Sequence, residues 1–194
     1  MIYQVSLIKD HCRPSSNSGI AAIRAHQAEL ETQGIKLYGI FAGLLGLATN
    51  EIYVVTYSPQ PHSLQATVTA AGLELEASHE FLPTARPTEH APLTKPGIYV
   101  FRWFKVKNTD VKAIVELSTT AWKSFEAGFQ TQVQGLFAEP ESAAVFGQML
   151  LITRYADLSV WEASRHPSDE ARENFQRRHA LTIEAKPIAT QLAL

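Results

Sequence analysis

Among the residues of this 194-residue chain whose types and spacing could do chemistry, Arg102 has the largest physical consequence. It stands mid-strand in Gly-Ile-Tyr-Val-Phe-Arg-Trp-Phe-Lys-Val-Lys, residues 97–107, and alternation puts it in one row with Val100 and Phe104. A cation in an apolar row costs on the order of several kcal/mol unless it is paired or hydrated. Two arrangements satisfy it. A salt bridge to Glu51, Glu74 or Glu76 would leave no cavity, whereas a polar pocket would let it hold a carboxylate, a sulfate or ordered water. The pocket reading brings in Gln4 and Ser6, the small Ser6 being the counterpart of Arg102 in an earlier strand. Arg154 and Tyr57 join them as hydrogen-bond groups, with Arg154 dependent on a strand register that sequence does not fix.

Other chemistry-bearing residues are weaker candidates. Arg165, His166, Arg172, Arg177, Arg178 and His179 concentrate positive charge, but Asp169, Glu170 and Glu173 interleave with them, the pattern of a solvated helix face with local ion pairs. His79 and His179 stand outside any His-x-x-x-His or His-Glu-x-x-His spacing, so the sequence points to no metal site and names no cofactor. Cys12 is the single cysteine, which rules out an internal disulfide and fits a reducing compartment. Gly39, Gly43 and Gly46 do not form a dinucleotide fingerprint. A formal charge of −2 without long runs of like charge argues against nucleic acid as a partner. No apolar run reaches the roughly 18 residues of a membrane span, and the chain opens directly on a strand pattern, so a cytoplasmic protein is expected.

The elements that must position these residues come in two sets. Ile98-Tyr99 restates Ile2-Tyr3, and the same offset carries Gly39-Ile40-Phe41 onto Gly135-Leu136-Phe137. One residue further out, Val54-Val55-Thr56 meets Leu151-Ile152-Thr153. A fixed period recovered at three separated points marks a duplicated unit. In the first copy, the spacing predicts a strand at 2–9, a helix from Asn17 or Ser18 to Gly34, a hairpin of 35–41 and 51–58 around the loop 42–50, a helix from Pro59 to Gly72 and a strand at 73–81. Strands at 98–107, 132–137, 147–155 and 181–185 with helices after Thr109 or Asp110, after Asp157 and over 168–180 repeat that order. β-α-β-β-α-β is the split βαβ arrangement of ferredoxin-like folds, so the expectation is an α+β chain with one unit at 1–86, a proline-rich linker at 87–96 and a second unit at 97–194. Tyr3, Val5 and Leu7, with Tyr99, Phe101 and Trp103, are expected to pack under the helices.

The hairpin Leu37-Tyr38-Gly39-Ile40-Phe41, then Gly46, then Asn50 to Ser58, resembles that of the NIPSNAP family. Gly135, Phe137, Arg154-Tyr155, Leu158, Trp161 and Glu162 repeat it more loosely, with the Asn replaced in the neighbourhood of Gly147-Gln148. The resemblance implies the dimeric α/β-barrel superfamily, in which two ferredoxin-like sheets face one another. A tandem duplication would supply both from one chain as an intramolecular, pseudo-dimeric barrel. It implies no single activity and carries over no catalytic residues. Two descriptions follow: a NIPSNAP-like protein that binds a small molecule or a protein partner, and a small-molecule enzyme of the cofactor-free monooxygenase or haem-binding kind. A homodimer through other surfaces is compatible with both.

Overall fold

The computed structural model describes residues 1–194. Its elements are β1 (Ile2–Lys9), α1 (Ser16–Ala25), α2 (Gln27–Thr32), β2 (Lys36–Leu45), β3 (Glu51–Ser58), α3 (Gln65–Ala70) and β4 (Glu74–Arg86). They continue with β5 (Ile98–Lys107), α4 (Val111–Gly128), β6 (Thr131–Ala138), β7 (Phe146–Tyr155), α5 (Leu158–Ala163), α6 (Asp169–Ala180) and β8 (Thr182–Leu192). The eight strands are hydrogen-bonded in the cyclic order β1-β3-β2-β8-β5-β7-β6-β4. The chain is α+β, and the order of elements repeats as the sequence pattern predicts.

Two compact units divide it. The first comprises 1–82, 89–96 and 188–194, the second 83–88 and 97–187. Most of the proline-rich segment belongs with the first unit, where Leu93 N–H donates to the Tyr38 carbonyl at 2.8 Å. β4 and β8 run longer than the sequence pattern predicts, through Pro83 and Pro187.

In the first unit, Ile8, Ile52 and Val54 from the sheet pack with Ile23 and Leu30 of the first two helices and with Leu64 and Val68. In the second, Phe104, Val106, Met149 and Leu151 pack with Ile114 and Trp122 of α4. Even-numbered residues of β1 and β5 therefore face the helices. This reverses the expectation for Tyr3, Val5, Leu7, Tyr99, Phe101 and Trp103, which lie on the opposite face; Tyr3 stacks on Tyr57 at 5.5 Å and meets Tyr38 edge-on at 5.3 Å. The physical reason is that both faces are apolar and buried, Tyr3 and Phe101 as completely as Ile8 and Val106. Period-two alternation separates the two faces of such a strand but does not say which of them meets the helices.

The glycine-x-aromatic repeat has a structural cause. The pairing of β2 with β3 shifts register between Leu37 and Gly39, and that of β6 with β7 shifts between Val133 and Gly135, the same place in both copies. At each shift an extra residue bends the strand. The aromatic side chain two residues on folds back over the glycine: a Cβ on Gly39 would meet the Phe41 ring at 2.7 Å, and one on Gly135 would collide with the Phe137 ring. Both rings are fully buried and cannot yield. Gly135→Ala is expected to destabilise the protein by about 1–3 kcal/mol, the usual range for overpacking. Denaturant unfolding checks it, and an unchanged midpoint would mean the Phe137 ring is free to move.

Candidate functional site

The second unit contains a cavity of about 340 Å³ between its sheet and its helices. The sheet contributes Arg102 from β5, Val133 from β6, and Leu151, Thr153 and Tyr155 from β7. Their alignment follows from an unbroken register in which Val100 pairs with Thr153 and Arg102 with Leu151. Trp122 and Phe125 of α4 form one wall, and Arg172, Phe175 and Arg178 of α6 another. Ser164, Arg165 and Pro167, between α5 and α6, complete it.

Local sequence explains why these side chains point inward. Ser168 caps α6, its hydroxyl accepting from Ala171 N–H at 3.4 Å. Ala171, Phe175 and Arg178 then follow at i, i+4 and i+7, one stripe of the helix. Ala171 and Arg178 are buried, and Phe175 meets Phe125 of α4 edge-on at 5.3 Å. On the α4 wall the Arg86 guanidinium lies over the Trp122 ring at 5.1 Å, held by two bonds to the Glu126 carboxylate at 2.6 and 3.0 Å.

Arg86 has its carboxylate; Arg102 and Arg178 have none. Arg102 makes no hydrogen bond or ion pair, and the glutamates offered to it by sequence are engaged elsewhere. Lys9 pairs with Glu51 at 3.5 Å and Glu76 at 3.2 Å, and His11 pairs with Glu74. The salt-bridge expectation is thereby corrected. Arg178 is 6% exposed, its guanidinium lies against the Phe104 and Phe175 rings at 5.3 and 4.8 Å, and its one hydrogen bond runs to the Ser118 hydroxyl at 3.4 Å. Burial, and secondarily the nearby Arg102, push Arg178 down to about 9, so it remains charged at neutral pH. Burial likewise lowers Arg102, with Tyr155 and Arg165 as its nearest electrostatic neighbours. The Tyr155 phenol is pushed up by burial against the opposing pull of Arg102 and of its hydrogen bond with Ser164, and it stays protonated at the cavity wall. No aspartate or glutamate lines the cavity, and the buried indole N–H of Trp122 has no acceptor. The interior of the cavity thus carries positive charge between aromatic walls.

Of the five residues that the sequence assigns to a pocket, Arg102 alone lies on this cavity. Gln4 and Ser6 share the helix-facing row of β1 in the first unit, and both have partners there. Gln4 Nε2 donates to the His62 carbonyl at 3.0 Å, and the Ser6 hydroxyl lies 3.3 Å from that of Ser78. Tyr57 pairs with Tyr3 and points to the other face, its hydroxyl donating to the His90 carbonyl at 2.9 Å. Arg154 pairs with Tyr99, so it lies on the face opposite Arg102; the register turns it away. Arg165, Arg172, Arg178 and His179 line the cavity, although alternating charge marks their segment as a solvated face. The 171, 175, 178 spacing is the signal that separates Arg178 from its exposed neighbours.

Comparison with known proteins agrees with the fold. No family model matches the sequence, and no curated protein matches it. Among solved structures, an anthrone oxidase-like protein is similar over 100% of this chain and 92% of its own, with a TM-score of 0.65 at 10% identity. A single-site mutant of chlorite dismutase from Candidatus Nitrospira defluvii gives 0.63 at 9% identity, over 100% of this chain and 91% of that one. A haem-binding protein from Thermus thermophilus gives 0.57 at 12% identity, over 100% and 90%. The chain has the fold of the dimeric α/β-barrel proteins. At these identities the likeness is of fold alone, and no helix is long and apolar enough to cross a membrane.

Haem does not fit the residues of the cavity. Its interior polar groups are guanidinium ions, which offer no lone pair to iron, the neutral hydroxyls of Thr153 and Ser164, and a phenol that burial keeps protonated. The one imidazole on the lining, His179, is exposed at the end of α6.

A partly buried cation without a partner, as Arg102 is, contributes nothing to the fold that methionine would not. Arg102→Met is expected to fold and to leave the thermal midpoint unchanged or raised. A clear fall in the midpoint by calorimetry would mean that the guanidinium has a stabilising partner.

Proposed function

We propose that this protein binds a small organic anion with an apolar or aromatic body in the cavity of its second unit. The observation that carries this reading is the pair Arg102 and Arg178, both at the cavity and both without a carboxylate. Buried charges in folded proteins are paired, and a pair left open in a cavity is complemented by a ligand of opposite sign. Trp122, Phe125 and Phe175 give the ligand's body an aromatic wall. The volume lies toward the small end of ligand pockets, roughly 300–1,000 Å³.

A ligand of this kind is compatible with both descriptions suggested by the sequence, a NIPSNAP-like protein that binds a small molecule or a protein partner and a small-molecule enzyme. The fold shared with an anthrone oxidase-like protein supports the second for one class of ligand. An anthrone is a polycyclic ketone whose enolate is an aromatic anion, and guanidinium groups that hold a carboxylate also stabilise an enolate oxygen. In that reading Arg102 and Arg178 bind the enolate and shift the ketone toward it.

The first unit has diverged from this role. Ser6 stands where the second unit has Arg102, and the neighbouring Thr56 hydroxyl is bound to His62 Nε2 at 2.8 Å. One ligand per chain is therefore expected. Titration calorimetry with benzoate and 1-naphthoate should give a stoichiometry of one and an affinity at least tenfold weaker in Arg102→Met. Equal affinity in the folded variant, or the absence of binding by either acid, would contradict the reading.

A further inference from the structure

Arg102 and Arg178 reach the cavity from different elements, the first from the sheet floor and the second from α6. A guanidinium has five N–H donors in a planar fork that matches a carboxylate or a phosphate through two parallel bonds. Arg102 uses none of them, and Arg178 uses one. The Phe104 and Phe175 rings already lie against the guanidinium of Arg178. What remains for a ligand is its edge, the side from which fork recognition takes place. Arg172, by contrast, is exposed and already bonded to the Asp169 carboxylate at 3.0 Å and the Pro167 carbonyl at 3.2 Å. Arg165 also lies on the lining without a carboxylate, but it is exposed at the mouth, with its guanidinium over the Trp161 ring at 5.9 Å. The uncompensated charge in the interior of the cavity is thus that of two guanidinium groups, beside Thr153 and Tyr155 and no acid.

A ligand with one negative charge would neutralise one of these cations and leave the other buried without a partner. Resting on the anion reading above, we infer that the ligand carries two negative charges at one end, as a phosphate monoester or a pair of adjacent carboxylates, with Arg102 holding one side of that head group and Arg178 the other. The cavity has the volume of about eleven water molecules at roughly 30 Å³ each, room for such a head group and a compact aromatic body beside Trp122 and Phe125. The like charges of Arg102 and Arg178 repel one another until the head group is bound, so occupation by a dianion removes two penalties together.

Calorimetric titration of the full chain at fixed pH and ionic strength with benzoate, phthalate and phenyl phosphate tests this. Phthalate or phenyl phosphate is expected to bind at least tenfold more tightly than benzoate, and whichever is the tighter identifies the head group as dicarboxylate or phosphate. Arg102→Met and Arg178→Met should each reduce that ligand to the affinity of benzoate. Should Arg178→Met fail to fold by circular dichroism, Arg102→Met decides alone. Benzoate binding as tightly as both dianions would overturn the two-charge inference and leave the anion reading standing. No binding by any of the three would overturn both. A dianion advantage that survives in folded Arg102→Met would also overturn the inference.

Discussion

The second unit depends on one unmet requirement, a guanidinium in the helix-facing row of a sheet. Val100, Phe104 and Val106 are buried in that row of β5, and Arg102 interrupts it. An arginine there cannot be packed as an aliphatic residue is, because its polar end must meet a counter-charge, a hydrogen-bond acceptor or water. No side chain lining the cavity supplies a carboxylate. Instead α6 brings a second arginine toward the same space, and the two aromatic rings around Arg178 hold it in place without neutralising it. On the proposed reading the cost of holding two guanidinium groups in one cavity is offset when an anion binds between them, which a purely structural core would not require.

The repeated order of elements makes the comparison internal. Both units share the register shift before the hairpin glycine and the folded-back phenylalanine, so their sheets are built alike. Their helix-facing rows differ. In the first unit, Gln4, Ser6 and Thr56 are tied to His62 and Ser78 by short polar contacts within the unit. Burial lowers the proton affinity of His62, which fits a neutral imidazole in a bond to a threonine hydroxyl. The same architecture therefore supports a polar cluster bonded largely within itself in one unit, with only the Gln4 amide oxygen left without a partner, and an open cationic cavity in the other. The difference traces to a few side chains and not to a change of fold.

Much of this is legible in the sequence, and what is not has physical reasons. The shared offset exposes the repeated order of elements, because Gly39 and Gly135 stand at equivalent register shifts. Arg102 stands out because a charge in an apolar strand needs an explanation. Its surroundings are hidden because both sheet faces are buried, so alternation does not say which one carries the helices. Arg154 falls on the wrong face for the related reason that a shift of one residue moves a side chain to the other side of the sheet. Arg178 is masked by alternating charges, where net composition hides position. Only its spacing from Ala171 and Phe175 distinguishes it. β4 and β8 extend past their expected ends because proline usually stops strand pairing, whereas Pro83 and Pro187 lie inside these strands.

The most direct measurement is a crystal structure of the protein soaked with 4-bromobenzoate, with bromine located by its anomalous signal. The account expects a single strong peak per chain in the cavity of the second unit, with the carboxylate within hydrogen-bond distance of Arg102 or Arg178 and the bromine against the aromatic wall of Trp122 and Phe125. A cavity without bromine at saturating ligand, or a carboxylate seated away from both guanidinium groups, would contradict it.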